Sequence, residues 1–119
     1  IEYVNNLTKD ILKGNKNLND LNQMEKNIVL GEESLFWTRE LNNNCKLVNE
    51  SVEILKLQKG GIVVGHTPSF NIRSKCDEHL WLVDVAMSGA FGNKNKVDIE
   101  ILEIIQSDDG NSYSTNVIS

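Results

Sequence analysis

The histidine best placed for chemistry follows an apolar run. In Gly61-Ile62-Val63-Val64-Gly65-His66-Thr67-Pro68 the run from Ile62 leaves no exposed face, so a central, rigid strand is expected there. Gly65 drops a side chain where another group must come close, and Pro68 ends the ladder and fixes the loop beyond it. His66 is thereby delivered to the carboxyl end of a buried strand, where a neutral imidazole can bind a divalent cation. The competing reading is a histidine hydrogen-bonded at a strand end for structural reasons. Thr67 is expected to steady this loop through its hydroxyl. Asp84, flanked by Val83 and Val85, must face solvent, pair with a base or bind metal. His79 lies in the charged segment after Lys75 and is expected to be exposed, and Trp37 and Trp81 to fill core or pocket wall.

The elements that must position these groups run helices first, strands later. Val4, Leu7 and Ile11 recur at helical spacing, with Gly14 as a left-handed stop. Leu21, Met24 and Ile28 repeat the pattern before Gly31. Val48, Val52 and Leu55 mark a third helix, capped by Asn43 or Asn44 and ending at Gly60. Strands are expected at Ile62–Val64, Leu80–Val85 and Val97–Ile105. The Asp109-Gly110 turn then returns Ser112–Ile118 as a weak edge. Helix, central strand and further strands describe an α/β (α+β) chain, such as one half of an αββα sandwich.

Composition narrows the partners. The formal charge is −5, which disfavours nucleic acid and anionic membrane. No run approaches the ~18 apolar residues that a membrane-spanning helix requires. Cys45 and Cys76 sit far apart, in no ligand-like spacing, and read as buried or half-buried free thiols in a reducing, cytoplasmic setting. The abundance of asparagine, including Asn42-Asn43-Asn44, looks like nucleotide bias in the gene.

Beyond His66, four elements in order resemble the C-terminal part of calcineurin-like metallophosphoesterases, most closely the Shewanella-like protein phosphatases. They are the "W-x-R" element around Trp37 and Arg39, Val63-Val64-Gly65-His66-Thr67-Pro68, the stretch Cys76 to Gly92, and Val97 to Ile104. Within the third, Cys76-Asp77, Leu80-Trp81, Asp84-Val85 and Met87-Ser88 carry the match. The resemblance spans about Glu33 to Ile105. It implies two packed sheets flanked by helices and two divalent transition ions (Mn, Fe or Zn), with His66 ligating one of them. In-line attack on a phosphomonoester by a metal-activated hydroxide would follow. It also implies that Arg39 clamps phosphate oxygens, for which a planar, permanently charged fork is suited.

The family's Asp-x-His, Gly-Asp-x-x-Asp-Arg-Gly, Gly-Asn-His-Glu and His-Gly-Gly motifs are not among these residues. Residues 1–119 therefore read as the C-terminal part of a single catalytic domain whose N-terminal half completes the site. The expected substrates are phosphoserine or phosphothreonine on proteins, or small phosphomonoesters. Two departures bear on substrate preference: Ala86 stands where the family has glycine, and Ser69-Phe70 where it often has glutamine. The alternatives are a noncatalytic phosphatase-like binding module and, least favoured by the charge, a nucleic-acid phosphodiesterase.

Overall fold

A computed structural model describes residues 1–57, 60–88, 90–91 and 99–119. The chain is a small mixed α+β protein, three helices followed by a three-stranded mixed sheet and a two-stranded antiparallel one. It divides into two compact units, Ile1–Thr38 and Arg39–Ser119. Gly89 and Gly92 of the resembling segment, and Val97 and Asp98 of the expected last strand, lie outside the described residues.

The first unit holds helix α1 (Glu2–Leu12) and helix α2 (Gln23–Leu30). Gly14 ends the first with φ +73°, as the sequence suggests. Helix α2 departs from its expected stripe: Leu21 is buried but precedes the helix, and Met24 is exposed. Its start is set instead by Asn22, whose side chain accepts from the Glu25 amide at 2.9 Å while Glu25 accepts from the Asn22 amide at 2.9 Å. This reciprocal capping box puts a carboxylate, not an apolar side chain, on the buried position of the helix. The Tyr3 hydroxyl donates to the same carboxylate at 3.2 Å, and Lys16 pairs with it.

The second unit is built around helix α3 (Cys45–Ile54) and the strands β1 (Ile62–Val64), β2 (Arg73–Lys75) and β3 (Leu80–Leu82). Asn44 caps α3, accepting from the Leu47 amide at 3.0 Å. The helix stops six residues short of Gly60. Lys56 takes the left-handed turn at φ +56°, and its amide donates to the Glu53 carbonyl at 3.0 Å. The Leu57 amide closes back on the Val52 carbonyl at 2.8 Å. This paired closure satisfies the last carbonyls without glycine, and Leu57 packs on the Val52 cluster.

The sheet order is β1-β3-β2, with β1 parallel and β2 antiparallel to β3. Among the described residues β1 is therefore an edge strand rather than the expected central one, and Val63 is exposed. The centre falls to β3, all three of whose residues are buried. Leu80 and Leu82 pack on Val48 and Val52 of α3, while Trp81 packs on Ile72 and Val85 on the opposite face. A strand covered on both faces is the one that reads as a continuous apolar run. Strand β2, Arg73-Ser74-Lys75, carries no apolar alternation and escaped the sequence reading.

Strands β4 (Ile101–Gln106) and β5 (Tyr113–Ile118) form an antiparallel hairpin, with Ile101 opposite Ile118 and Gln106 opposite Tyr113. Gly110 occupies the turn at φ +68°. Asp109 accepts hydrogen bonds from the Ser107 hydroxyl and from the side chain and amide of Asn111. Those donors hold its carboxyl down from the usual 3.8 to about 2.

Cys45 and Cys76 are joined in a disulfide, which corrects the reading of two free thiols. Their 31-residue separation conceals that the first turn of α3 lies against the β2–β3 turn, with the two Cα atoms 5.2 Å apart. That turn carries three successive non-glycine residues at positive φ, Cys76, Asp77 and Glu78.

Candidate functional site

His66 follows β1 directly, in the loop that carries the chain away from the sheet. It is exposed and adopts a left-handed backbone at φ +64°. A non-glycine residue held there is uncommon. The close backbone approach expected at Gly65 is absent: a Cβ added there would meet nothing within 4 Å. It occurs at the other end of the strand, where a Cβ on Gly61 would sit 2.9 Å from the His79 carbonyl oxygen. That contact lets β1 lie close enough to β3 for the Ile62 amide to donate to His79 at 2.8 Å.

Arg39 reaches His66 across 27 residues of sequence. Its Nη2 lies 3.3 Å from the imidazole Nε2 and donates to the His66 carbonyl, also at 3.3 Å. A guanidinium has only donors, so the ring nitrogen facing it must supply a lone pair. The Nε2 lone pair is thus engaged by the guanidinium, and it can ligate a metal only once Arg39 gives up that contact. Arg39 and His66, which the phosphatase resemblance requires to face one crevice, share one exposed corner of the second unit.

Two further bonds frame the corner. Asn42 Nδ2 donates to Thr67 Oγ1 at 2.6 Å, and the Asn42 carbonyl accepts from Lys75 Nζ at 2.6 Å. The Thr67 hydroxyl does steady the loop, through a side chain rather than the expected backbone group. Asp84 also ties the loop. Its main-chain carbonyl accepts from the Ser69 amide at 2.7 Å, while its carboxylate accepts from the Ala86 amide at 3.0 Å. The carboxylate is thus used within its own turn, where Ala86 stands at φ +54°. Ala86 takes the backbone region that a glycine occupies without cost, so the missing glycine shows as local strain.

The remaining candidates differ in exposure. His79 is half-buried rather than exposed, with Nδ1 3.0 Å from Asn49 Oδ1, a structural arrangement. Trp81 is core, as expected, whereas Trp37 is 51% exposed. Glu100, which the sequence reading passed over, accepts from Asn71 Nδ2 at 3.0 Å and from the Ile72 amide. Those bonds, Asn71 first, lower its carboxyl below the usual range. A cavity of about 600 Å³ is lined by Lys56, Val63, Trp81, Ile104 and Tyr113, with neither Arg39 nor His66 in its wall.

Among the described residues no three His, Cys, Asp or Glu side chains gather into a metal-binding group. These residues offer one suitable imidazole and do not by themselves fit two metal ions. No helix among them is long and apolar enough to cross a membrane. Comparison with family models, with curated proteins and with solved structures returned no match.

Proposed function

We propose that this chain supplies the C-terminal corner of a metal-dependent phosphatase acting on phosphomonoesters, with His66 as one metal ligand and Arg39 as a phosphate clamp. One observation carries the reading: the guanidinium and the imidazole, 27 residues apart, meet at 3.3 Å beside a strand end. Metal binding by Nε2 requires the Arg39 fork to give up its contact with the ring and turn to the equatorial oxygens of a phosphoryl group; the freed imidazole nitrogen then suits Mn, Fe or Zn. The remaining ligands belong to a segment outside residues 1–119, in keeping with the αββα sandwich that the resemblance implies. A phosphorylated protein or a small phosphomonoester is the substrate class this chemistry fits. The Cys45–Cys76 bond favours an oxidising compartment over the reducing cytoplasm, where such links are rare.

The test is hydrolysis of p-nitrophenyl phosphate with Mn²⁺ by the chain extended with the residues encoded before Ile1. Turnover that is lost in His66→Ala, and strongly reduced in Arg39→Ala, is expected. Residues 1–119 alone should show none, because one imidazole cannot hold a dinuclear centre. Metal-dependent turnover by residues 1–119 alone, or turnover in the extended chain indifferent to both substitutions, would contradict the proposal.

A further inference from the structure

We infer that Asn42 is a positioning residue, setting Arg39 against His66 through a closed ring of hydrogen bonds. The inference rests on the proposed reading for what the pair does, though not for how the pair is held. Asn42 is only 8% exposed, on the short 3-10 turn Glu40–Asn43 that begins immediately after Arg39. Its amide N–H donates to the Arg39 carbonyl at 3.1 Å, fixing the backbone from which the guanidinium extends. Its side-chain amide donates to Thr67 Oγ1 at 2.6 Å, and Thr67 is bonded covalently to His66. Arg39 Nη2 donates to the His66 carbonyl at 3.3 Å and completes the circuit. Lys75 Nζ, on β2, donates to the Asn42 carbonyl at 2.6 Å and anchors the ring to the sheet.

Each link has a consequence for geometry. The guanidinium sits at the end of a long flexible side chain, and ordering such a chain costs rotamer entropy. The left-handed backbone at His66 is held by its surroundings, not by its own preference. A buried side-chain amide between them fixes the separation of two otherwise independent segments. Losing the Thr67 hydroxyl would leave a buried donor on Asn42 unsatisfied, which the structure would relieve by letting the turn and the loop part.

The test uses residues 1–119, with NMR of the Arg39 and His66 side chains and with His79 as an internal control. In Thr67→Val, which keeps the shape but removes the hydroxyl, the nuclear Overhauser contact between Arg39 and His66 should be lost. Thr67→Ser should retain it, Asn42→Ala should lose it, and the His79 resonances should stay in place in all three. Persistence of the Arg39–His66 contact in both Thr67→Val and Asn42→Ala would overturn the inference. So would its loss only together with the His79 signals, which marks general unfolding. A wild-type contact that is intact but insensitive to Mn²⁺ would count against the metal reading alone.

Discussion

Two polar clusters in this chain are built from similar parts and end in opposite states. In the first unit Glu25 accepts from Tyr3, Lys16 and the Asn22 amide, and it lies only 6% exposed. The Lys16 hydrogen bond, aided by the Asn22 amide, holds its carboxyl below the ordinary 4.5. Lys16 in turn is raised by the bond to Glu25, and the Tyr3 hydroxyl is raised by burial and by that same carboxylate. In the second unit Arg39 and His66 are exposed, and the imidazole is carried on a strained backbone. The first arrangement turns its donors and acceptors inward and closes a helix end. The second pairs a cation with an imidazole nitrogen at an exposed position. The proposed function draws on the second cluster alone, and the first serves as its buried counterpart.

The largest expected effect comes from removing the covalent tie within the second unit. Reduction of Cys45–Cys76 frees a 31-residue loop, which should cost about 2–4 kcal/mol. Urea unfolding followed through the His66 and His79 signals should show this loss, while the Tyr3 and Glu25 signals stay native until their own transition. A common loss in both regions would erase the distinction between them. Asn22→Ala should cost about 1 kcal/mol through loss of the helix cap, read at Tyr3 and absent at His66.

Acid titration should give the smallest effect and the finest distinction. Because the Glu25 carboxyl is lowered on folding, its stabilisation is complete above about 4.5 and fades as the pH falls toward the lowered value. The hairpin turn around Asp109 should lose its bonds from 3.8 down to about 2. Exchange of the Asn22 amide, which donates to the Glu25 carboxylate, should therefore accelerate as the pH falls below about 4.5, and exchange of the Asn111 amide as it falls from 3.8 toward about 2. An Asn22 amide indifferent to this acidification would mean that the closed cluster is not held by its ionised carboxylate.

Much of the helical frame was legible from spacing and caps. The repeats at Val4-Leu7-Ile11 and Val48-Val52, the stop at Gly14 and the cap at Asn44 are local signals, and the structure realises them. Position within the sheet was not local. An apolar run such as Ile62–Val64 cannot tell whether a further strand will pair with its outer side, and here β3 took the centre. The Cys45–Cys76 link was hidden for the same reason, since it depends on how α3 meets a distant turn. Within the site, the resemblance already requires His66 and Arg39 to face one crevice, and the two lie 3.3 Å apart. Asn42 was lost in an asparagine-rich stretch attributed to nucleotide bias, although its neighbour Asn44 caps a helix and Asn42 itself binds Thr67. Side-chain type alone does not reveal which of three successive asparagines will be buried.

The central claim is that His66 and Arg39 together form a corner able to take a metal ion and a phosphate. Its most direct measurement is paramagnetic broadening on residues 1–119 titrated with Mn²⁺, without and then with inorganic phosphate. The expected result is weak, selective broadening at His66, spreading to Arg39 when phosphate is added and vanishing in His66→Ala. Broadening centred on acidic surface residues, with the His66 ring untouched, would contradict it.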